Sequence, residues 1–389
     1  MNLAILDEPR WQTQMDPLAD AAAADIISRG GVPAMSLALE LLSAVPPEKP
    51  WPAGLKEYVQ QTSVPTGVDW TRVKAAQDWF NTWGVLATAS LFCASLPETY
   101  VIPGIAALLA LSHQLTDHVT RRIVMTGQML FDVMTPAAFT LDGRAMQSLR
   151  RTRLMHAAIR VMLLDDTKRS QTPLVWTDKY GQPINQLGLV FTLLTFSHVV
   201  LRSVRILGVS PDPEMEDAYN YAWNVAGEVL GVHPDLLPAN AAEAAAAFER
   251  IKAARKRVGA NEYQRLLIEA LEVCWKGQFS PLHVPFSVPI LHALFETLLS
   301  DETRAILGIE RPPALQESLN TAVRPVLESA VHVVDGVYRH LPPASRLAAS
   351  VNHYFAVHIT EVRDGGLYDT QRHMRAWAEE VSTARSNHL

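Results

Sequence analysis

The stretch that decides the fold is Arg151-Thr-Arg-Leu-Met-His-Ala-Ala-Ile-Arg-Val-Met-Leu-Leu164. It contains neither glycine nor proline, and its residue types favour an α-helix over the whole length. His156 lies in the middle of this helix among apolar neighbours. From the segment alone, such a histidine is typical of a core residue that is satisfied by a hydrogen bond. A metal ligand is the alternative interpretation.

Helical patterns continue along almost all of the 389 residues. Asp69 is placed to cap a helix that starts at Trp70, and Pro136 follows a helix that it cannot continue. Gly208 and Gly231 are placed to end helices. The predicted helices, besides the His156 helix, cover residues 33–43, 70–83, 99–111, 117–134, 187–207, 214–230, 239–257, 261–275, 288–299, 313–340 and 343–362.

No alternating strands and no internal repeat interrupt these helices, and we predict an all-α fold with globin-like helical packing. Residues 168–186 are polar and contain Pro173, Gly181 and Pro183, which indicates a loop, with a short hairpin as an option. Residues 1–68 are expected to form an irregular N-terminal arm and a helix. Residues 69–389 are expected to form one large helical domain.

Composition excludes several classes of protein. Apolar residues make up 48% of the chain and the net charge is −6, so a large core is expected and a basic footprint for nucleic acid is not. The two cysteines, Cys93 and Cys274, cannot form a disulfide framework or a covalent haem attachment motif. The first thirty residues carry five acidic side chains and no apolar signal core, so we expect a cytoplasmic protein.

Two strongly apolar stretches raise the question of membrane insertion. Residues 83–111 are interrupted by Pro97-Glu98 and Pro103-Gly104, and residues 187–207 contain His198 and two arginines. The uninterrupted pieces of the first stretch are shorter than the ~20 residues that a span requires. We therefore predict buried helices and no transmembrane span, and peripheral contact with a membrane stays open.

Motifs of several enzyme classes are missing from the sequence. It has no dinucleotide-binding or P-loop glycine pattern, no His-Glu-x-x-His, no Gly-x-Ser-x-Gly and no paired Glu-x-x-His. By elimination, an all-α chain with an interior histidine leaves haem as a leading cofactor candidate.

Seven short segments, spread in order over roughly residues 69–275, together resemble one superfamily. They are Leu96-Pro-Glu-Thr-Tyr100, Arg122-Ile-Val-Met-Thr126, Arg153-Leu-Met-His-Ala-Ala-Ile-Arg160, Gly181-Gln-Pro-Ile-Asn-Gln186, Thr192-Leu-Leu-Thr-Phe-Ser197, Ala222-Trp-Asn-Val-Ala-Gly-Glu-Val-Leu-Gly231 and Leu236-Leu-Pro238. The set resembles the latex-clearing proteins (rubber oxygenases) and MpaB-type oxygenases. The resemblance implies an all-α domain that encloses one non-covalent b-type haem, which is iron protoporphyrin IX.

The resemblance also implies roles for individual residues. His156 matches the proximal iron ligand, and Arg122 and Thr126 match an arginine and a threonine on the distal-side helix, where they would be catalytic. Rubber oxygenases have a lysine immediately before that threonine, and this chain has Met125. They also have a carboxylate on the preceding helix, but residues 101–111 contain no acid, and Glu98 is the nearest carboxylate.

Two arginines are assigned to the haem site with an alternative for each. Arg160 lies one turn after His156 and shares its side of the helix. It is expected to pair with a haem propionate or to form a salt bridge. Arg122 is expected to stabilise a propionate or an iron-bound ligand, or to end at solvent.

The residues next to Arg122 complete the predicted cofactor site. Thr126 is expected to donate a hydrogen bond to a distal ligand or to bond back to its own helix. Met125 is expected to fill the core or to ligate iron through its thioether. Other candidate ligands are His113, His118 and His198.

The sequence therefore predicts a haem b oxygenase that acts with dioxygen on a small hydrophobic substrate, such as an isoprenoid or polyisoprene-like alkene. Leu193, Phe196 and Phe131 are expected to line its apolar pocket. A non-catalytic haem sensor or carrier with six-coordinate His/Met or bis-His iron is the alternative. A haem-free scaffold or lipid-binding helical domain is a third possibility.

Overall fold

The computed structural model describes residues 3–42, 52–111, 119–136, 138–140, 143–164, 176, 180–256, 262–279 and 287–309. Within these ranges every regular element is helical, which confirms the all-α class. The α-helices are, in chain order, α1 (Arg10–Thr13), α2 (Pro17–Leu41), α3 (Ala53–Gln61), α4 (Trp70–Ser90), α5 (Leu96–Tyr100), α6 (Pro103–Leu111), α7 (Val119–Met134), α8 (Arg144–Leu164), α9 (Gln186–Leu194), α10 (Val200–Ile206), α11 (Pro213–Val229), α12 (Ala241–Arg255), α13 (Glu262–Phe279), α14 (Ser287–Leu298) and α15 (Asp301–Leu307).

Capping residues place several of the helix ends where the sequence predicted them. The Asp69 carboxylate accepts hydrogen bonds from the Thr71 and Arg72 amides at the start of α4. Gly208 and Gly231 have φ of +101° and +88°, a region that L side chains avoid, and they follow α10 and α11. The predicted helices 313–340 and 343–362 lie outside the described residues.

The prediction that Pro97 splits the first apolar stretch is wrong. α4 passes through a π-helical segment, Leu91–Ser95, directly into α5, and Pro97 lies in the first turn of α5. A proline is tolerated there because the amide that it lacks is not needed by the first turn of an α-helix. The break comes later, between Tyr100 and Pro103.

The N-terminal prediction is also corrected. The helix expected at residues 33–43 starts much earlier, at Pro17, where the Asp16 carboxylate caps α2 by accepting from the Ala19 amide. A kink at Gly30-Gly31 divides α2, and Gly31 has φ of +62°, so Pro33 begins a new helical stretch after the kink. Residues 3–41 are thus mainly helical. The proposed domain boundary after residue 68 stays a prediction.

Helix α8, which carries His156, separates two hydrophobic clusters. Its residues Leu154, Ala157, Ala158 and Met162 pack with α2 and α3 in the smaller cluster. Its N-terminal residues Ala145, Met146 and Leu149 belong to the larger cluster, which is formed by the other long helices. The amphipathic division of α8 therefore determines which of its side chains face the main core.

Two buried ion pairs connect α8 to α2. Nε of Arg153 lies 2.6 Å from Oδ2 of Asp16, and its Nη2 lies 2.9 Å from Oδ1. The guanidinium and the carboxylate thus form a bidentate pair. Four residues after Asp16, the Asp20 carboxylate accepts a hydrogen bond from Nε of Arg160 at 2.6 Å. Gly231 approaches the Arg153–Asp16 pair so closely that a Cβ atom would lie 2.5 Å from Oδ2 of Asp16.

One helical run has the length and composition of a membrane span. It is Gln186–Ile206, which combines α9, a π-helical segment (Thr195–Val199) and α10, and 72% of its most apolar window is buried inside the protein. The run Trp70–Tyr100 passes the same test only together with Pro103–Ala110, and the two are bent by 108°. A helix in the core of a globular domain is buried to a similar extent and passes the same test of length and composition.

Substitution of Asp16 tests the connection between α2 and α8. Asp16→Asn keeps a good capping residue but leaves the buried Arg153 guanidinium without a carboxylate, so we expect the free energy of unfolding to fall by about 3 kcal/mol. The matched control is Asp7→Asn, because Asp7 pairs with Arg250 at the surface, where ion pairs contribute little. Chemical denaturation measures both, and equal effects would contradict the assignment.

Candidate functional site

The side chain of His156 lies on the face of α8 that also carries Arg153 and Arg160, the two arginines that pair with Asp16 and Asp20. Helical spacing groups His156 with Leu149, Thr152 and Ile159, which are seven and four residues before it and three after it. Leu149 belongs to the main hydrophobic cluster, whereas the opposite face of α8 packs on α2. His156 therefore lies at the edge between the face of α8 that meets the main hydrophobic cluster and the arginines that pair with Asp16 and Asp20.

The imidazole of His156 is neutral and incompletely satisfied. Its residue is half-buried as a whole, but Nδ1 is fully enclosed and has no hydrogen-bond partner among the described residues. Burial lowers the pKa of His156 to about 4, the charge of Arg160 acts in the same direction, and Asp16 opposes them. The ring consequently keeps a lone pair available at neutral pH, which is the form that binds iron.

Arg160 forms the salt bridge that was one of its two predicted roles, and it retains an unused donor. Its Nε donates to Asp20 and its Nη1 donates to the Ile184 carbonyl at 3.3 Å. Its Nη2 is buried without a hydrogen-bond partner in the part of the chain that the structure describes. Two orphaned polar atoms, on His156 and Arg160, thus lie one helical turn apart, and they fit an iron ligand and a propionate partner.

Asp132 shows which face of α7 turns toward α8. Burial raises the pKa of the Asp132 carboxyl to about 6, while a hydrogen bond from Ser148 on α8 and the charges of Arg144 and Arg151 lower it. Met125 lies seven residues before Asp132, two helical turns away on the same face. Met125 therefore also belongs to the face of α7 that is directed at α8.

The remaining predicted residues on these helices are only partly covered by protein. Met125 and Thr126 on α7 and Ile159 on α8 are half-buried. Met155, which directly precedes His156, is also half-buried, and it packs against the smaller cluster with α2 and α3. Met125 and His156 thus lie on two helices, α7 and α8, that pack on each other.

Two other predicted residues lie outside the described part of the chain, and a third is described only in its backbone. His113 and His118 are among the residues that the structure does not describe, and Arg122 lies on α7 with an undescribed side chain. His198, the remaining candidate ligand, is in the π-helical segment that follows α9, with its ring 5.4 Å from the ring of Phe248. Burial, with the charges of Arg202 and Arg205, lowers the pKa of His198 to about 4.

Glu98, the nearest candidate for the missing carboxylate, is occupied in a different role. It is completely buried and lies 3.0 Å from Nη2 of Arg202 and 2.7 Å from Nζ of Lys252. Two cations therefore hold this carboxylate in a structural cluster of α5, α10 and α12.

The residues predicted to line an apolar pocket are packed in the main core. Phe131, Leu193 and Phe196 are each less than a tenth exposed. The ring of Phe196 lies 4.8 Å from that of Trp223, and Leu193 packs on Gly227. All three residues belong to the main hydrophobic cluster.

A family model for the catalytic domain of ER-bound oxygenases of the mpaB/B′ type and rubber oxygenases matches residues 78–334. The chain belongs to this oxygenase family. It is 25% identical over 322 residues to a rubber oxygenase of Streptomyces sp. (strain K30), covering 80% of this chain and 74% of that protein. A solved structure of latex clearing protein in the closed state has the same fold, with a TM-score of 0.67 at 21% identity, over 89% of this chain and 91% of that one.

Two residues at this site carry interactions that the sequence analysis did not identify. Asp132 is the one acid in the second half of α7, within an apolar run, and this position could have marked it as buried. Asp20 is far from Arg160 in the sequence and offered no local signal. No group of three or more His, Cys, Asp or Glu side chains suited to a metal ion occurs in the ranges that the structure describes.

The pH dependence of stability tests the burial of Asp132. Because its pKa is about 6 in the folded chain and 3.8 in the reference state, the folded protein binds more protons between these values. Asp132 therefore costs stability increasingly as the pH rises through this window. We expect Asp132→Asn to gain stability relative to the wild type from pH 4 to pH 6.5, as measured by urea denaturation. A difference that is constant with pH, or that shrinks as the pH rises, would contradict this placement.

Proposed function

We propose that this oxygenase-family chain binds haem b between α7 and α8 and uses it, with dioxygen, to oxidise a small hydrophobic substrate. The observation that carries the proposal is the neutral imidazole of His156, whose enclosed Nδ1 has no hydrogen-bond partner among the described residues. Membership of the oxygenase family supports the reaction class.

His156 and Arg160 would hold the cofactor from the α8 side. A neutral histidine is a common axial ligand of haem iron. The buried Nη2 of Arg160 supplies a charge-assisted donor for a propionate, and its pairing with Asp20 keeps the guanidinium in place. The half-buried Ile159, three residues after His156 on the same helix, offers an apolar contact for a flat ring system.

Haem, when bound, would supply the iron and the electron-transfer chemistry toward dioxygen. On the α7 side, Thr126 would hold a proton at Oγ1 for a hydrogen bond toward the reacting molecule, and Arg122 would add a positive charge. Met125 takes the position that a lysine has in the rubber oxygenases, so this face has one cation fewer. It is better suited to an uncharged, apolar substrate.

The substrate that we propose is a hydrophobic alkene of the isoprenoid type. One relative is by name a rubber oxygenase, which supports this chemical class. An apolar substrate also suits a site whose neighbours are methionine and isoleucine side chains. A cytoplasmic location and peripheral contact with membranes stay predictions.

The optical spectrum of the purified protein tests the ligand. We expect the wild type, after reconstitution with haem, to show a Soret band that is lost or strongly shifted in His156→Ala. His198→Ala is the matched control, since His198 is a mostly buried histidine whose pKa is lowered to a similar value, and it should keep the band. A wild type that takes up no haem, or a band lost only in His198→Ala, would contradict the proposal.

A six-coordinate His/Met haem protein is the second candidate, and the position of Met125 on the face of α7 that meets α8 favours it. Carbon monoxide separates the two candidates. A catalytic site with an open coordination position predicts that the ferrous wild type binds carbon monoxide rapidly and that Met125→Ala changes this little. The His/Met alternative predicts slow or absent binding in the wild type and rapid binding in Met125→Ala.

A further inference from the structure

A cavity of about 260 Å³ lies between α10, α12 and the start of α15, and no residue of α7 or α8 lines it. Its lining is mainly charged and consists of Arg202, Glu249, Lys252, Ala253, Lys256, Ser300 and Glu302. Neither the family assignment nor the proposed haem site explains this concentration of charge.

The buried part of the cavity wall carries an excess positive charge. Glu98 is fully buried behind the wall and faces two cations, Arg202 at 3.0 Å and Lys252 at 2.7 Å. Lys252 is itself only 6% exposed, and its Nζ also donates to Thr303. One buried carboxylate cannot neutralise both cations, and Arg202, whose side chain is a quarter exposed, can meet a further counter-ion from the cavity.

One cation of the wall, Arg202, is both held in place and accessible. Its side chain lines the cavity and is a quarter exposed, while its enclosed Nε has no acceptor among the described residues. The guanidinium is otherwise held by Glu98, so its orientation is fixed before any ligand arrives. A guanidinium in this state is suited to an oxoanion, which accepts several charge-assisted hydrogen bonds at once.

The carboxylates at the cavity mouth compensate this positive charge only weakly. Glu249 is 63% exposed at its side chain and lies 3.9 Å from Arg202, and Glu302 is 57% exposed and pairs with Lys256. Exposed ion pairs of this kind contribute little and are screened by salt. A ligand with a stronger negative charge can therefore displace them and free Lys256 to bind it.

We propose that this cavity is a binding site for a phosphate group. Arg202 and Lys252 would contact the anion from the buried wall and Lys256 would contact it from the rim. A phosphate is favoured over a carboxylate because three cations on separate side chains can each meet a different oxygen. The site is independent of haem, so its test does not depend on the proposed function.

Thermal unfolding of the whole chain in inorganic phosphate tests the proposal. We expect the wild-type Tm to rise with phosphate concentration relative to sodium chloride of equal ionic strength, because a ligand that binds only the folded state stabilises it. Lys256→Gln, which leaves the buried Glu98 cluster intact, should weaken phosphate binding about tenfold. Arg250→Gln, an exposed arginine that pairs with Asp7, is the matched control and should behave as the wild type does.

Several outcomes decide the proposal. An unchanged Tm in phosphate, an equal rise in the wild type and Lys256→Gln, or a rise in acetate as large as in phosphate would overturn it. Glycerol 3-phosphate distinguishes the source of the group: tighter binding than free phosphate indicates an esterified ligand such as a lipid headgroup, and weaker binding indicates the free ion. Both results support a phosphate site.

Discussion

The orientation of His156 depends on the two buried ion pairs between α8 and α2. Arg153 and Arg160 point to one side of α8, where Asp16 and Asp20 receive them. Since an α-helix is rigid at this length, fixing the arginines on one side determines where the remaining faces turn. His156 lies between the two arginines, three residues after Arg153 and four before Arg160, so helical spacing places its imidazole beside them. Its orphaned Nδ1 and low pKa follow from that placement, because the ring is surrounded by protein and by one positive charge.

The same constraint explains why the N-terminal residues matter to the site. α2 is far from α8 in the sequence, yet it supplies both carboxylates and most of the smaller hydrophobic cluster. Gly231, at the end of α11, closes over the Arg153–Asp16 pair at a distance that only a residue without Cβ allows. Three distant segments thus hold one helix in place, and removing any one of them would loosen the position of His156.

Much of the fold could be predicted from the sequence because helix starts and ends are local. Asp69 caps the start of α4, and Gly208 and Gly231 follow the ends of α10 and α11. Each of them acts within a few residues of its own helix. The continuity of the helix through Pro97 could not be predicted, because it depends on the π-helical segment before it, which leaves that proline in the first turn of α5. The choice between propionate partner and salt bridge for Arg160 was also open, since its partner Asp20 is 140 residues away in sequence. Asp132 was missed for a similar reason: its partner Ser148 becomes visible only when α7 and α8 pack.

A crystal structure of the protein loaded with haem tests the central claim most directly. We expect the iron to be bonded to His156, a propionate to meet Nη2 of Arg160, and Met125 and Thr126 to face the opposite side of the porphyrin. Iron bonded to His198 or to another residue, or haem bound away from the interface of α7 and α8, would contradict it.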